Sequence, residues 1–307
     1  TMTTASTGGA WIGNANTVAT VAAGTGFVAG LSAGTVNISY RVNATCYVYK
    51  TLTVNGVPST TISGPNSVCA GGQVTLTHPT AGGTWAVSNT RATINTAGVV
   101  TGVTAGAFVV TYHTAAGCFN TMPATVNALP AAIGGAASTV CAGSAITLTN
   151  TTPGGQWSSA DASIASVPSA PGLVTGVAAG ITNISYTVIS TGCAATRTVT
   201  VYAVPGAITG TTQICGTGST TLSATPGGGT WTRSSTTVNI NSTTGVVTGV
   251  GAGTSTISYT LAGNCRSTTV VTVVALPAAI TGTLTICEGV VATLTSTTAN
   301  QTWSSNN

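Results

Sequence analysis

Trp11, Trp85, Trp157, Trp231 and Trp303 recur at a nearly constant spacing. The first four follow the same motif, in Gly8-Gly9-Ala10-Trp11, Gly82-Gly83-Thr84-Trp85, Gly154-Gly155-Gln156-Trp157 and Gly228-Gly229-Thr230-Trp231. A fixed period of this length makes a chain a tandem array of one small unit. The 307 residues then divide into whole repeats at 57–128, 129–203 and 204–275, with partial repeats at 1–56 and 276–307. Such an array points away from one large enzyme.

The repeat at 129–203 shows the script. Leu129-Pro130 opens it and Ala131-Ala132-Ile133 starts a strand. Val140-Cys141-Ala142-Gly143 reads as a turn, Ile146–Thr149 as the next strand, and Pro153-Gly154-Gly155 turns into the strand of Trp157. Ile164–Val167, Leu173–Val177, Asn183–Val188 and Thr198–Val201 complete it. About seven short strands with period-2 alternation and regular turn signals predict a β-sandwich. Val, Thr and Ile favour half-buried pleated strands, and no segment sustains a 3.6-residue apolar period. The fold expected is all-β: sandwich repeats stacked end to end as a rod, with almost no helix. Val57-Pro58, Leu129-Pro130, Val204-Pro205 and Leu276-Pro277 mark the joints. Proline fixes φ there and stiffens the connection.

Only 3% of residues are charged, whereas 43% are hydrophobic. Average soluble proteins carry roughly 25% charge. The net charge of +4 comes from Arg41, Lys50, Arg91, Arg197, Arg233 and Arg266 against Asp161 and Glu288. These are scattered singly, so the concentrated basic face of a nucleic-acid binder is missing. No apolar run is long enough to span a membrane as a helix. The opening residues Thr1-Met2-Thr3-Thr4 read as the interior of a repeat, which places any targeting signal outside this stretch.

A search for chemistry returns little. The two acids lie in different repeats, which leaves no carboxylate pair for acid–base work. His78 and His113 have no acid beside them in sequence, and Lys50 is the single lysine. No phosphate loop, calcium loop or cofactor motif occurs, and none is expected. The tryptophans are expected in the core; sugar-stacking platforms are the competing reading. Tyr40, Tyr112, Tyr186 and Tyr259 recur with them as core residues with a polar tip. Tyr47, Tyr49 and Phe119 do not recur; a contact surface is the lesser reading for them. Asn-x-Ser/Thr at Asn37, Asn43, Asn150, Asn183, Asn241 and Asn300 is close to chance in so Thr-rich a chain.

Stretches such as Gly98-Val99-Val100-Thr101-Gly102-Val103-Thr104-Ala105-Gly106 and Gly245-Val246-Val247-Thr248-Gly249-Val250-Gly251-Ala252-Gly253 carry a family likeness. Gly176-Val177-Ala178-Ala179-Gly180 and Gly30-Leu31-Ser32-Ala33-Gly34 are shorter versions. The pattern resembles the group 2 bacterial immunoglobulin-like domain. The Thr/Val/Gly-rich tandem form is similar to cell-surface repeat proteins of Bacteroidota-type bacteria. The resemblance implies an Ig-like sandwich and a spacer or adhesin role outside the cell.

The cysteines recur in two series. Cys69, Cys141, Cys215 and Cys287 precede Trp85, Trp157, Trp231 and Trp303 by one constant spacing, and Cys46, Cys118, Cys193 and Cys265 sit at the last hairpin. An extracellular setting makes disulfides the default. Zinc is disfavoured because no Cys-x-x-Cys pair exists. Two pairings remain open. Within repeats the bonds are Cys69–Cys118, Cys141–Cys193 and Cys215–Cys265. Sandwich topology favours the alternative, because the two positions fall at opposite ends of a repeat. Cys69 then reaches Cys193 and Cys141 reaches Cys265, each clamping one joint.

The expectation is a non-enzymatic structural region of a secreted or surface-anchored fibre or adhesin stalk. Its partners are neighbouring repeats, copies of itself, or surface glycans and other cells; an adhesin module binding carbohydrate or a receptor is the rival reading. The end at 276–307 supplies the strands that 1–56 lacks. Continuation of a longer polypeptide on both sides is the favoured expectation, with strand donation from one molecule to the next as the alternative.

Overall fold

The computed structural model describes residues 1–4, 8–13, 17–58, 61–299 and 302–305. Among these it is all-β apart from one short 3-10 turn, η1 (Ala262–Asn264). The strands follow the repeat. The first repeat holds β1 (Ala10–Gly13), β2 (Ala19–Val21), β3 (Val28–Gly30), β4 (Gly34–Arg41) and β5 (Tyr47–Val54). The second holds β6 (Ser67–Cys69), β7 (Gln73–Thr75), β8 (Thr84–Val87), β9 (Ala92–Ile94), β10 (Val99–Gly102), β11 (Gly106–His113) and β12 (Phe119–Asn127). The third holds β13 (Thr139–Cys141), β14 (Ala145–Thr147), β15 (Gly155–Ser159), β16 (Ala165–Ser166), β17 (Leu173–Gly176), β18 (Gly180–Val188) and β19 (Ala194–Tyr202). The fourth holds β20 (Gln213–Cys215), β21 (Ser219–Thr221), β22 (Thr230–Arg233), β23 (Val238–Ile240), β24 (Val246–Gly249), β25 (Gly253–Thr260) and β26 (Arg266–Val274). A last pair, β27 (Thr281–Gly282) and β28 (Leu294–Thr295), follows.

The chain forms two compact units. One is Thr1–Ala131 with Thr151–Gly155 and Thr187–Ala195; the other is Ala132–Asn150, Gln156–Tyr186 and Thr196–Asn307. In the first unit, β6-β12-β11-β8 and β7-β10-β9 form the two layers of an Ig-like sandwich. Alternation explains the layering. Along β11, Phe108, Val110 and Tyr112 are buried and the residues between them are not. They meet Val68, Ala124 and Val126 of their own sheet and Leu76, Ala92 and Val100 of the facing one. In the second unit, β20-β26-β25-β22 faces β21-β24-β23 in the same way. Its core gathers Ile214, Leu222, Val238, Val247, Ile257 and Val271. The third repeat gives β13-β19-β18-β15 and β14-β17-β16, with Ile184, Val174, Val199 and Val201 buried.

Each whole repeat closes the same way. Its first strand lies parallel to its last, with Val68 opposite Val126, Val140 opposite Val201 and Ile214 opposite Val273. The first repeat differs. Its sheets are β1-β4-β5 and β2-β3, so among the described residues β5 and β3 have no counterparts of β6 and β7 beside them.

Two expectations for the third repeat need correction. Thr139–Cys141 is a strand, and the turn falls after it. Val140 is buried against β19, and that ladder keeps the backbone extended up to Cys141. Ala131–Ile133 is not a strand; only Gly134 forms a single bridge, to Thr149. Pro130 removes a donor before the bridge, and Gly135 at φ +127 turns the chain after it.

Candidate functional site

The recurring tryptophans build a packing box. Each packs on the tyrosine of the neighbouring strand: Trp11 on Tyr40 at 5.1 Å, Trp85 on Tyr112 at 4.7 Å, Trp157 on Tyr186 at 4.9 Å and Trp231 on Tyr259 at 4.6 Å. The tyrosine hydroxyl accepts a hydrogen bond from the second glycine of the Gly-Gly motif. Gly9 N donates to Tyr40 at 2.8 Å, Gly83 N to Tyr112 at 2.9 Å and Gly229 N to Tyr259 at 2.7 Å. The Tyr259 hydroxyl in turn donates to Pro226 O at 3.0 Å. A Cβ on Gly83 or Gly229 would overlap the tyrosine ring, which is why the motif keeps a glycine there. The other side of the indole rests on a second glycine. A Cβ on Gly172 would stand 2.7 Å from Trp157 Cε2, and one on Gly245 2.9 Å from Trp231 Cε2.

Trp157 and Trp231 are buried, while Trp11 and Trp85 are half-buried. Trp303 departs from the expected core role: it is 52% exposed. Residues 276–307 contain neither the tyrosine strand nor the supporting glycine that hold the ring elsewhere. The tyrosines are more enclosed than their expected polar tips suggest, at 7% exposure or less. The glycine beneath each Trp was missed, although one recurs at a similar distance after each of the first four: Gly26, Gly98, Gly172 and Gly245.

The cysteines are the second recurring constellation. Cys69 and Cys193 form a disulfide with Cα atoms 5.6 Å apart, and Cys141 and Cys265 form another at 5.7 Å. Each joins one sequence repeat to the following one. Neither Cys69–Cys118, Cys141–Cys193 nor Cys215–Cys265 forms: Cys46, Cys118, Cys215 and Cys287 are free. Strand geometry gives the reason. Cys69 pairs across the parallel ladder with Asn127, the last residue of β12, whereas Cys118 precedes its first, Phe119. Eight residue steps of extended chain separate those ends by roughly 26 Å. A disulfide tolerates no more than about 7 Å between Cα atoms. A strand of the same length separates the two cysteine positions in β19 and β26.

The remaining polar residues serve local turns. Asp161 Oδ1 accepts from Ser163 Oγ at 2.6 Å and Ser163 N at 2.9 Å, and these bonds hold its carboxyl below the ordinary aspartate value. His78 stacks on Tyr112 at 4.2 Å and shares a hydrogen bond with Asn120; His113 packs at 5.5 Å from Phe119. Asn43, Asn183 and Asn241 use their side-chain oxygens on neighbouring backbone or threonine hydroxyls. Asn300 lies outside the described residues. Among the described residues, no three His, Cys, Asp or Glu side chains cluster as a metal site, and no helix is long and apolar enough to cross a membrane. Tyr47, Tyr49 and Phe119 are exposed at 52%, 65% and 54%. A groove of about 800 Å³ lies in the first repeat, lined by Val28, Gly30, Ile38, Leu52 and Val54.

No family model matches the sequence, and no curated relative matches it. Among solved structures the chain is similar to invasin, a bacterial integrin-binding protein. That match has 15% identity, covers 86% of this chain and 72% of that one, and has a TM-score of 0.34. The C-terminal 282-residue fragment of intimin, in complex with the intimin-binding domain of its translocated receptor, matches at 19% identity. It covers 48% of this chain and 66% of that one, with a TM-score of 0.32. Domains 1–6 of the surface layer protein SbsC match at 16% identity, covering 87% of this chain and 49% of that one, with a TM-score of 0.23.

Proposed function

We propose that these repeats are a structural region of an extracellular bacterial fibre or adhesin stalk, of the group 2 immunoglobulin-like kind, that associates with further copies of itself. One observation carries the reading: the disulfides join successive repeats and leave each repeat uncrosslinked within itself. A bond closing each sandwich would serve the stability of separate domains. Bonds that run from repeat to repeat serve the array. Each closes a loop with a sequence separation of 124. In the chain-entropy account a loop of that length is worth roughly 5 kcal/mol against unfolding. Disulfides of this kind persist in oxidising compartments, which supports a location outside the cytoplasm.

The surface chemistry agrees. With two acids and six basic residues in 307, self-repulsion between copies is weak. The faces of Trp11, Trp85, Trp157 and Trp231 that a sugar would need are occupied by tyrosine and glycine of the same repeat, so the carbohydrate reading gains no support from them. Antibodies to residues 129–203 applied to intact producing cells test the proposal. Labelling without permeabilisation, on fibres visible by electron microscopy, is the expected result; signal only after lysis would sink it.

A further inference from the structure

The face of the first repeat that looks away from its core carries aromatic side chains the fold does not use. Val36, Ile38 and Tyr40 of β4 are buried in the core. Ser39 and Arg41 alternate with them and so belong to the opposite face. β5 sets Tyr47 opposite Arg41 and Tyr49 opposite Ser39, which puts both tyrosines on that outer face. They are 52% and 65% exposed, and their two-residue spacing along the strand separates them by roughly 7 Å.

An uncovered sheet edge is not the cause of this exposure. In the second repeat the strand beside β12 pairs only with Thr125–Asn127. With that strand in place Phe119, the counterpart of Tyr47, is still 54% exposed. The fold does not require the arrangement either. In the fourth repeat the same positions hold Thr260 opposite Arg266 and Ser258 opposite Thr268.

Arg41 is held as a receptor for an anion. The buried Ser39 hydroxyl donates to Ile12 O at 3.2 Å and accepts from Arg41 Nε at 3.3 Å. The guanidinium carbon stands 4.9 Å from the centre of the Tyr47 ring, within cation–π range. Hydroxyl and ring together orient the fork, and its two terminal nitrogens have no partner among the described residues. Arg91, Arg197 and Arg233 differ: each uses a terminal nitrogen on backbone carbonyls of its own repeat. The compact unit that holds the first repeat contains no aspartate or glutamate, so no side-chain carboxylate of that unit competes for the fork. A planar fork with free donors matches a carboxylate bidentately.

We propose that the outer face of β4 and β5 binds a uronate-containing acidic polysaccharide, with Arg41 gripping a carboxylate and Tyr47 and Tyr49 stacking on the apolar faces of sugar rings. A uronic acid joins the two features that the site pairs, a carboxylate and a ring with a C–H face. Hydroxyls and an amide flank the tyrosines: Thr51 donates to Asn37 Oδ1 at 2.7 Å, and Thr35 lies opposite Thr53. A protein partner needs about 800 Å² on each side around an apolar centre. Two rings and the exposed Ile12 amid hydroxyls are too small a patch for that. The inference goes beyond the stalk reading and stands apart from it.

The test measures binding of the 307-residue chain by affinity electrophoresis and calorimetry. The probes are polygalacturonate, its methyl ester and poly-glutamate. Polygalacturonate should bind, and the other two should bind weaker by about tenfold or more. Arg41→Gln and the double variant Tyr47→Ala with Tyr49→Ala should each lower affinity for polygalacturonate by about tenfold or more. Arg41→Lys keeps the charge and loses the fork, and should also weaken binding. Arg266→Gln, at an exposed arginine opposite Thr260, should change nothing. Thermal midpoints should stay unchanged throughout; if Arg41→Gln lowers its midpoint, Arg41→Lys at an unchanged midpoint decides the same point. Lack of binding to polygalacturonate overturns the proposal. Equal binding of the methyl ester removes the carboxylate, equal binding of poly-glutamate makes the site one for acidic peptides, and an equal loss with Arg266→Gln reduces it to net charge; each overturns it as well. None of these results touches the stalk reading, which rests on Cys69–Cys193 and Cys141–Cys265.

Discussion

The fourth repeat and the last residues of the chain share a sequence pattern and reach different ends. Ile214, Leu222 and Trp231 are 6%, 2% and 4% exposed; their counterparts Ile286, Leu294 and Trp303 are 55%, 41% and 52% exposed. Alternation and turn residues are nearly the same in both stretches. The fourth repeat also has β24, β25 and β26, which supply the facing layer, the tyrosine and the parallel neighbour. A first strand of this fold is therefore an instruction that later strands must complete. Burial here belongs to the set of strands and not to any one of them.

Substitutions at matched positions sharpen the comparison. Trp231→Ala should cost about 3–5 kcal/mol in denaturant unfolding, as expected for a buried aromatic. Trp303→Ala should stay within about 0.5 kcal/mol, because that side chain is exposed. Equal losses at both positions would break the comparison. Cys141→Ser with Cys265→Ser should cost about 2–5 kcal/mol and lower the thermal midpoint. Cys215→Ser should leave the monomer's midpoint unchanged, since that thiol is free and exposed. Tyr259→Phe removes the acceptor for Gly229 N and the donor to Pro226 O. A loss of about 1–2 kcal/mol is expected, against almost none for the exposed Tyr47→Phe.

The smallest effect is that of pH. Asp161 has a lowered pKa in the folded chain because Ser163 donates to it from its hydroxyl and its backbone. The stability this contributes is present above the unfolded-state value, ordinarily about 3.9, and is lost as pH falls through the lower folded value. Among the described residues only Asp161 has such a shift, so thermal midpoints at pH 7 and pH 4 should nearly coincide. A steep loss between them would show a proton-linked contact elsewhere.

The strand count and layering were legible in the sequence because period-2 alternation and turn glycines act locally. Val140 and Cys141 were misread as part of a turn because their extended state comes from a parallel ladder with β19, far along the chain. A short run before Ala-Gly carries no local sign of that partner. The Gly-Gly-x-Trp motif announced the repeat but not its cause. The tyrosine hydroxyl that needs the second glycine lies three strands further on, at Tyr40 for Gly9, Tyr112 for Gly83 and Tyr259 for Gly229. The cysteine positions were plain, and their opposite placement followed from sandwich topology together with strand length. The partner of each bonded cysteine lies in another repeat, a property no single repeat encodes.

Single-molecule stretching tests the staggered disulfides most directly. With both bonds intact, three chain segments connect the Cys69–Cys193 node to the Cys141–Cys265 node. The shortest is the stretch from Cys141 to Cys193. The two nodes should then separate by no more than about 180 Å when that stretch is fully extended. After reduction the whole stretch from Cys69 to Cys265 should extend to about 690 Å. An oxidised chain that reaches the longer extension would contradict bonding between repeats.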